Sequence, residues 1–212
     1  TFVSTAETIV LLGAKPVFVD IEQTSFLIDA TLIEENITAK TKAIIPVHLY
    51  GHPANMPEIM KIAQKAGVKV IEDCAQAHGA SISEQKVGTF GDLACFSFYP
   101  TKNLGCWGDA GAVTGDQRYC ETIRELRNHG QTGKFNIKRV GWNARMDSIQ
   151  AEVLLNKLPL LDKHNKRRRE IAFTYNKELQ DIVNIPYQNK DCIHVYHQYV
   201  IQSVHIDRIK QA

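Results

Sequence analysis

Apolar positions along the 212-residue chain fall into two kinds of block, one spaced by three and four, the other short and nearly continuous. The first kind predicts helices over residues 5–12, closed by Gly13, and from the cap Asp29 to about Ile37, with Leu32, Ile33, Asn36 and Ile37 as its stripe. Asn55 opens another over residues 56–66, with Ile59, Met60, Ala63 and Ala66 inward and Gly67 as its stop. Asp116 caps a helix to about His129, with Tyr119, Ile123 and Leu126 inward. Residues 146–158 carry Ile149, Val153, Leu154 and Leu158 at helical spacing, and residues 163–180 carry His164, Arg168, Ile171, Tyr175 and Leu179.

The second kind predicts strands over residues 16–20, 43–47, 68–71, 93–98 and 112–114, with an alternating one over 195–202. Strands separated by helices argue for an α/β domain with a mostly parallel sheet covered on both faces. Ligands of such sheets collect at the carboxyl ends of the strands. Asp20, His48, Asp73 and Lys102 all fall at or near predicted strand ends.

Lys102 is the residue on which the chemistry turns. In Cys95-Phe96-Ser97-Phe98-Tyr99-Pro100-Thr101-Lys102, Pro100 ends the strand, and Gly105 and Gly108 allow a tight turn. A lysine held there loses solvent, which lowers its pKa toward the neutral amine that attacks carbonyls. The plain alternative is a surface lysine on a loop. Asp73 changes the balance, because a carboxylate at a buried strand end needs a partner. An ion pair would serve, and so would the protonated ring nitrogen of pyridoxal phosphate (PLP) held by Lys102, which needs an acid partner to act as an electron sink.

Composition narrows the field. A formal net charge of +2 gives no case for a nucleic-acid partner, and the basic run at residues 163–169 reads as a solvated helix face. No apolar run approaches the roughly 20 residues of a membrane span. The five cysteines show no Cys-x-x-Cys spacing, which suits reduced thiols in a cytoplasmic protein. His194 and His197, three apart on a predicted strand, point to opposite faces, and Gly51 and Pro53 break any helical pairing of His48 with His52, so no metal site is expected. Gly105, Gly108 and Gly111 lack dinucleotide spacing and read as turn glycines. Thr1, without a methionine, and Ala212, just past a helix start, read as cut ends of a longer protein.

Six stretches, taken together, resemble the DegT/DnrJ/EryC1/StrS sugar aminotransferases. They begin at Phe2-Val3-Ser4-Thr5, Gly13, Val47, Glu72, Ser97 and Gly141, the last running Gly141-Trp142-Asn143-Ala144-Arg145-Met146-Asp147. The resemblance covers the chain in order. It implies the aspartate-aminotransferase-like fold (PLP fold type I), a homodimer or higher oligomer, and transfer of an amino group from L-glutamate to a nucleotide-linked keto sugar. It also implies a PLP-binding large domain over residues 1–162 and, over 163–212, a connecting helix and the beginning of a small C-terminal domain. Lys102 would be the Schiff-base lysine and general acid/base, and Asp73 the partner of the ring nitrogen. Gln76 would lie close to the cofactor's 3-hydroxyl oxygen, Ser97 would bind its phosphate, and Phe2 would stack on the ring. Asn143 would reach the phosphate in the neighbouring subunit.

Two departures qualify the resemblance. The family's upstream Gly-Thr turn is absent, and Gly108-Asp109-Ala110-Gly111-Ala112 replaces the common Gly-Glu-Gly-Gly-Ala. That variant is similar to the branch that aminates C3 of dTDP-linked 6-deoxy sugars. The alternatives within the family are a dehydratase, whose members replace the lysine with histidine, and a non-catalytic regulatory relative.

Overall fold

The computed structural model describes residues 2–211. Along the chain come α1 (Ser4–Leu11), β1 (Ala43–Ile44), α2 (Met56–Ala66), β2 (Lys69–Asp73), β3 (Ser81–Ile82), β4 (Gln85–Lys86), β5 (Leu93–Ser97) and β6 (Gly111–Gly115). Then follow α3 (Gln117–Leu126), β7 (Gln131–Gly133), β8 (Asn136–Ile137), α4 (Ser148–Lys157), α5 (Leu161–Leu179), β9 (Cys192–Ile193) and α6 (Ile206–Gln211). The main sheet has the order β1-β2-β5-β6. The first three strands are parallel, with Ala43 opposite Lys69 and Asp73 opposite Cys95, and β6 returns antiparallel to β5. The mostly parallel sheet read from the sequence is therefore present.

Helix α2 shows why these residues form these elements. Asn55 Oδ1 accepts from Glu58 N–H at 3.4 Å, satisfying one of the free donors at the helix start. Gly67 ends the helix in the left-handed region at φ 66°, which a side chain would oppose. Its inward face is Met56, Ile59, Ile62 and Ala63, so Ile62 takes the place expected of Ala66. These residues pack with Ile33, Ile44 and Val70 into one core cluster. A second cluster joins Cys74, Ala77, Ala80, Val87, Ala94 and Val195, and a third joins Leu104, Cys106 and Leu154.

Several expected elements take another form. Residues 16–20 pair with no strand among the described residues, and Val17 and Phe18 lie exposed. The Asp20 carbonyl accepts from Asp29 N–H instead of entering a ladder. Asp29 caps as expected, taking Thr31 N–H at 2.9 Å, but the helix reduces to 3-10 turns at Ala30–Leu32 and Glu34–Asn36. The Asn36 side chain bonds the Leu32 carbonyl at 2.8 Å, a competitor for the helical ladder. The strand at 43–47 is cut short by Pro46, which has no N–H to give, and Val47 keeps only a bridge to Asp73.

The strand at 195–202 does not form. Ladder pairing belongs instead to Cys192 and Ile193, opposite Ile82 and Ser81. Beyond them Tyr196 turns left-handed at φ 44°, and Val195 and Gln198 donate to the carbonyls of Gly51 and Tyr50. In α5 the buried residues are Asn165 and Ala172, while His164, Ile171 and Tyr175 lie exposed. Polar residues can face inward there because their hydrogen bonds are met, which apolar spacing cannot reveal. Tyr119, Ile149 and Leu158 likewise stay exposed, whereas Leu154 is buried as expected. No helix among the described residues is long and apolar enough to cross a membrane.

Candidate active site

The carboxyl ends of β2 and β5 set the site. Because Asp73 pairs with Cys95 in parallel register, the two share a face of the sheet, and Ser97 lies on it two residues further. The opposite face takes Val70, Glu72 and Ala94, all fully buried. Sheet alternation thus separates a packed face from one that carries chemistry.

Past Ser97 the chain makes the turn that holds Lys102. Lys102 N–H donates to the Tyr99 carbonyl at 2.9 Å, and Cys106 N–H to the Phe98 carbonyl at 2.8 Å. At Gly105 a Cβ would stand 2.5 Å from the Pro100 carbonyl oxygen, so the turn closes only on glycine. Lys157 Nζ caps the Gly105 carbonyl from α4. Asn103, next to the lysine, donates to Asn165 Oδ1 at 2.9 Å and to the Val195 carbonyl at 3.0 Å. Asn165 in turn donates to the His78 carbonyl at 2.8 Å. The turn is thereby tied to α5 and to the segment after β2.

Loss of solvent pushes the Lys102 amine below its ordinary pKa, and the charge of Asp73 partly opposes that shift. Asp73 Oδ2 accepts from Thr5 Oγ1 at 2.8 Å, and Oδ1 from Ala75 N–H at 3.1 Å. Gln76 Oε1 accepts from Tyr50 N–H at 2.6 Å, leaving its Nε2 donor free for other use. Tyr50 itself is held at φ 59°. The Ser97 hydroxyl accepts from Tyr99 N–H at 3.4 Å. Phe2 lies exposed just ahead of α1, its carbonyl accepting from Thr5 N–H. Asn143 hydrogen-bonds to none of the other candidates among the described residues. Its hydrogen-bond partner is Arg145 Nε at 3.0 Å, and its backbone bridges Asn128.

The sequence profile of the DegT/DnrJ/EryC1/StrS aminotransferase family matches residues 1–211. The chain belongs to that family. It is 47% identical over 214 residues to the UDP-N-acetyl-3-dehydro-alpha-D-glucosamine 3-aminotransferase of Acidithiobacillus ferrooxidans, covering 100% of this chain and 58% of that protein. It is 45% identical over 204 residues to the dTDP-3-amino-3,6-dideoxy-alpha-D-galactopyranose transaminase of Aneurinibacillus thermoaerophilus, covering 95% of this chain and 56% of that protein. Among solved structures, Bacillus subtilis NtdA with bound cofactor PMP superposes with a TM-score of 0.89 at 34% identity, covering 99% of this chain and 49% of that one. The chain therefore spans under three-fifths of the length of these curated relatives. The donor set fits that kind of cofactor: an amine of lowered pKa, a carboxylate and a hydroxyl at neighbouring strand ends, with an amide just beyond.

The DegT-family resemblance did not single out the groups that brace this set. Glu72, fully buried behind Asp73, accepts from His48 Nε2 at 3.0 Å and from the N–H groups of Gly88, Phe90 and Gly91, each at 2.8 Å. His48 Nδ1 accepts from Ala54 N–H at 3.0 Å, so the ring proton sits on Nε2. Cys74 completes a close trio with them, but the His48 and Glu72 donor atoms are already engaged and burial drives the thiol pKa far up. Fit for a metal is therefore poor. His78 lies between the rings of Phe96 and Phe98 at 5.7 Å from each, and burial lowers its pKa to about 4. His194 stacks on Tyr196 at 3.8 Å, while His197 Nδ1 meets Asn103 Oδ1 at 3.3 Å; neither histidine lies in a strand, so the strand alternation read from their spacing does not apply to them.

Glu72 gives the fold an acid limit. Burial alone would raise its carboxyl pKa, but the donors from His48, Gly91 and Gly88 outweigh it and hold the value below the ordinary one. A depressed carboxylate stabilises the fold above its unfolded pKa, and that contribution disappears as pH falls through the folded one. The urea midpoint should therefore drop on acidification below about pH 4. Glu72→Gln should be less stable at neutral pH with a flatter pH slope. An unchanged slope would show that Glu72 does not set this limit.

Proposed function

We propose that the protein is a PLP-dependent aminotransferase that moves the amino group of L-glutamate to C3 of a nucleotide-linked keto sugar. The observation that carries this reading is the Lys102 amine, of lowered pKa, held by a glycine-closed turn beside a sheet face bearing Asp73 and Ser97. When bound, pyridoxal phosphate supplies an electron sink for charge developing at the amino acid's α carbon. Lys102 Nζ, as free amine, would take the proton from that carbon in the first half-reaction and hand it to C4′ of the cofactor, which leaves Nζ unprotonated again. In the second it would carry a proton from C4′ to the sugar carbon that becomes amine-bearing. Asp73 would stand as the acid partner of the ring nitrogen, and Gln76 would offer Nε2 to the ring oxygen, since its Oε1 is held by Tyr50 N–H. The Ser97 hydroxyl would bind phosphate, Phe2 would cover a ring face, and Asn143 would reach across a homodimer into the partner's site.

Intact Lys102 disfavours the dehydratase alternative. Five free cysteines suit a cytoplasmic location. Amination at C3 is supported by the names of the Acidithiobacillus and Aneurinibacillus relatives, one acting on a UDP sugar and the other on a dTDP sugar. Within that class, Gly108-Asp109-Ala110-Gly111-Ala112 supports a dTDP-linked 3-keto-6-deoxyhexose. Asp109 is exposed just after the lysine turn, where a carboxylate one methylene shorter than glutamate alters reach by an amount worth ~1–3 kcal/mol in calibrated pockets. Keto sugars on dTDP and UDP, assayed with glutamate and read by mass spectrometry, test the reading. The 3-keto sugar should give a kcat/KM about tenfold or more above its 4-keto isomer. Preference for the 4-keto isomer would overturn the position, and preference for UDP the nucleotide. Absence of amination across the panel would overturn the function.

A further inference from the structure

The hydrogen bond from Thr5 to Asp73 spans 68 positions of sequence and joins α1 to the carboxyl end of β2. Nothing else in α1 accounts for it. The helix has no side-chain N-cap bond and no buried residue, so packing does not aim Thr5 at the sheet. Thr8, in the same helix, spends its hydroxyl on the carbonyls of Ser4 and Thr5, the usual fate of a helical threonine. Thr5 instead gives its one proton to Oδ2 of a half-buried carboxylate at 2.8 Å. Ala75 N–H takes Oδ1 at 3.1 Å, so the carboxylate is clamped from both ends while each oxygen keeps a further lone pair. The two donors together fix the plane of the group.

We infer that Thr5 is a positioning residue, whose hydroxyl orients the Asp73 carboxylate toward the ring nitrogen of the cofactor. This rests on the proposed role of Asp73, and it adds a residue whose effect reaches the cofactor only through that carboxylate. Removing the donor should leave Asp73 in place but free to turn out of line with the ring nitrogen, so that the ring nitrogen holds its proton less well.

The test is the 15N chemical shift of the ring nitrogen in holoenzyme carrying 15N-labelled pyridoxal phosphate at one fixed pH, together with cofactor Kd. Thr5→Val keeps the shape and removes the donor. It should move the shift toward the neutral-pyridine position and raise Kd about tenfold, the scale of one hydrogen bond to a charged group. Thr5→Ser, which keeps the hydroxyl, should restore both. Thr5→Ala serves if the valine variant folds poorly, and a purely structural role would leave the shift where it is. A shift that moves in Asp73→Asn but not in Thr5→Val or Thr5→Ala overturns this proposal alone. A shift that moves in none of them overturns the reading of Asp73 and this proposal with it.

Discussion

Lys102→Ala should abolish turnover, lowering kcat by about three orders of magnitude or more, since one side chain loses both its nucleophilic and its acid–base work. The expectation follows from position. Lys102 sits in a turn that closes only with glycine at 105 and is pinned from α4 by Lys157 and from α5 through Asn103 and Asn165. A flexible surface lysine would need none of this bracing. Burial moves its pKa down, so at neutral pH a larger share of the amine is unprotonated than in an ordinary lysine. Borohydride treatment of the native holoenzyme should leave the cofactor attached to one peptide, found by mass spectrometry to contain Lys102. The alanine variant should bind cofactor yet yield no labelled peptide. A label on another lysine would remove the basis of the proposed function.

The sequence made that turn legible because proline and two glycines act locally: each restricts or permits a backbone angle within a few residues of itself. Helix α2 was legible for the same reason, with Asn55 at one end and Gly67 at the other. Strand β2 was legible through continuous apolar character, which places Asp73 at its end. What escaped depends on partners distant in sequence. Residues 16–20 have strand composition, but a strand exists only with a neighbour to pair with, and none of the described residues supplies one. Asn165 looks like a solvated residue in a basic run, yet two hydrogen bonds bury it at the back of the lysine turn. Glu72 reads as a second acid beside Asp73, although alternation turns it to the opposite face, where four donors meet it. Thr5 carries no local signal at all. Hydrogen bonds across 60 or more positions leave no period for a pattern to detect.

Asp73→Asn should cost on the order of several kcal/mol in transition-state stabilisation, the scale on which preorganised charge acts inside an active site. The substitution keeps the size of the side chain and removes its charge. The asparagine oxygen can still accept from one of the two donors now seen, Thr5 Oγ1 or Ala75 N–H. Its amide nitrogen, however, meets a donor where the carboxylate offered an acceptor, and one of those contacts becomes donor against donor. Against a protonated ring nitrogen the amide offers no compensating charge, so the ring holds its proton less well and drains electron density from the reacting carbon less effectively. Charge on Lys102 changes too: Asp73 is what opposes the burial-driven fall of its pKa, and without it the amine should titrate lower still. Single-turnover kinetics with glutamate should therefore show slow proton abstraction, with cofactor retained and the amine not the limiting group. Near-normal rates in Asp73→Asn would mean that another residue holds the ring proton, and that the carboxylate at the end of β2 serves the fold through Thr5 and Ala75 rather than the chemistry.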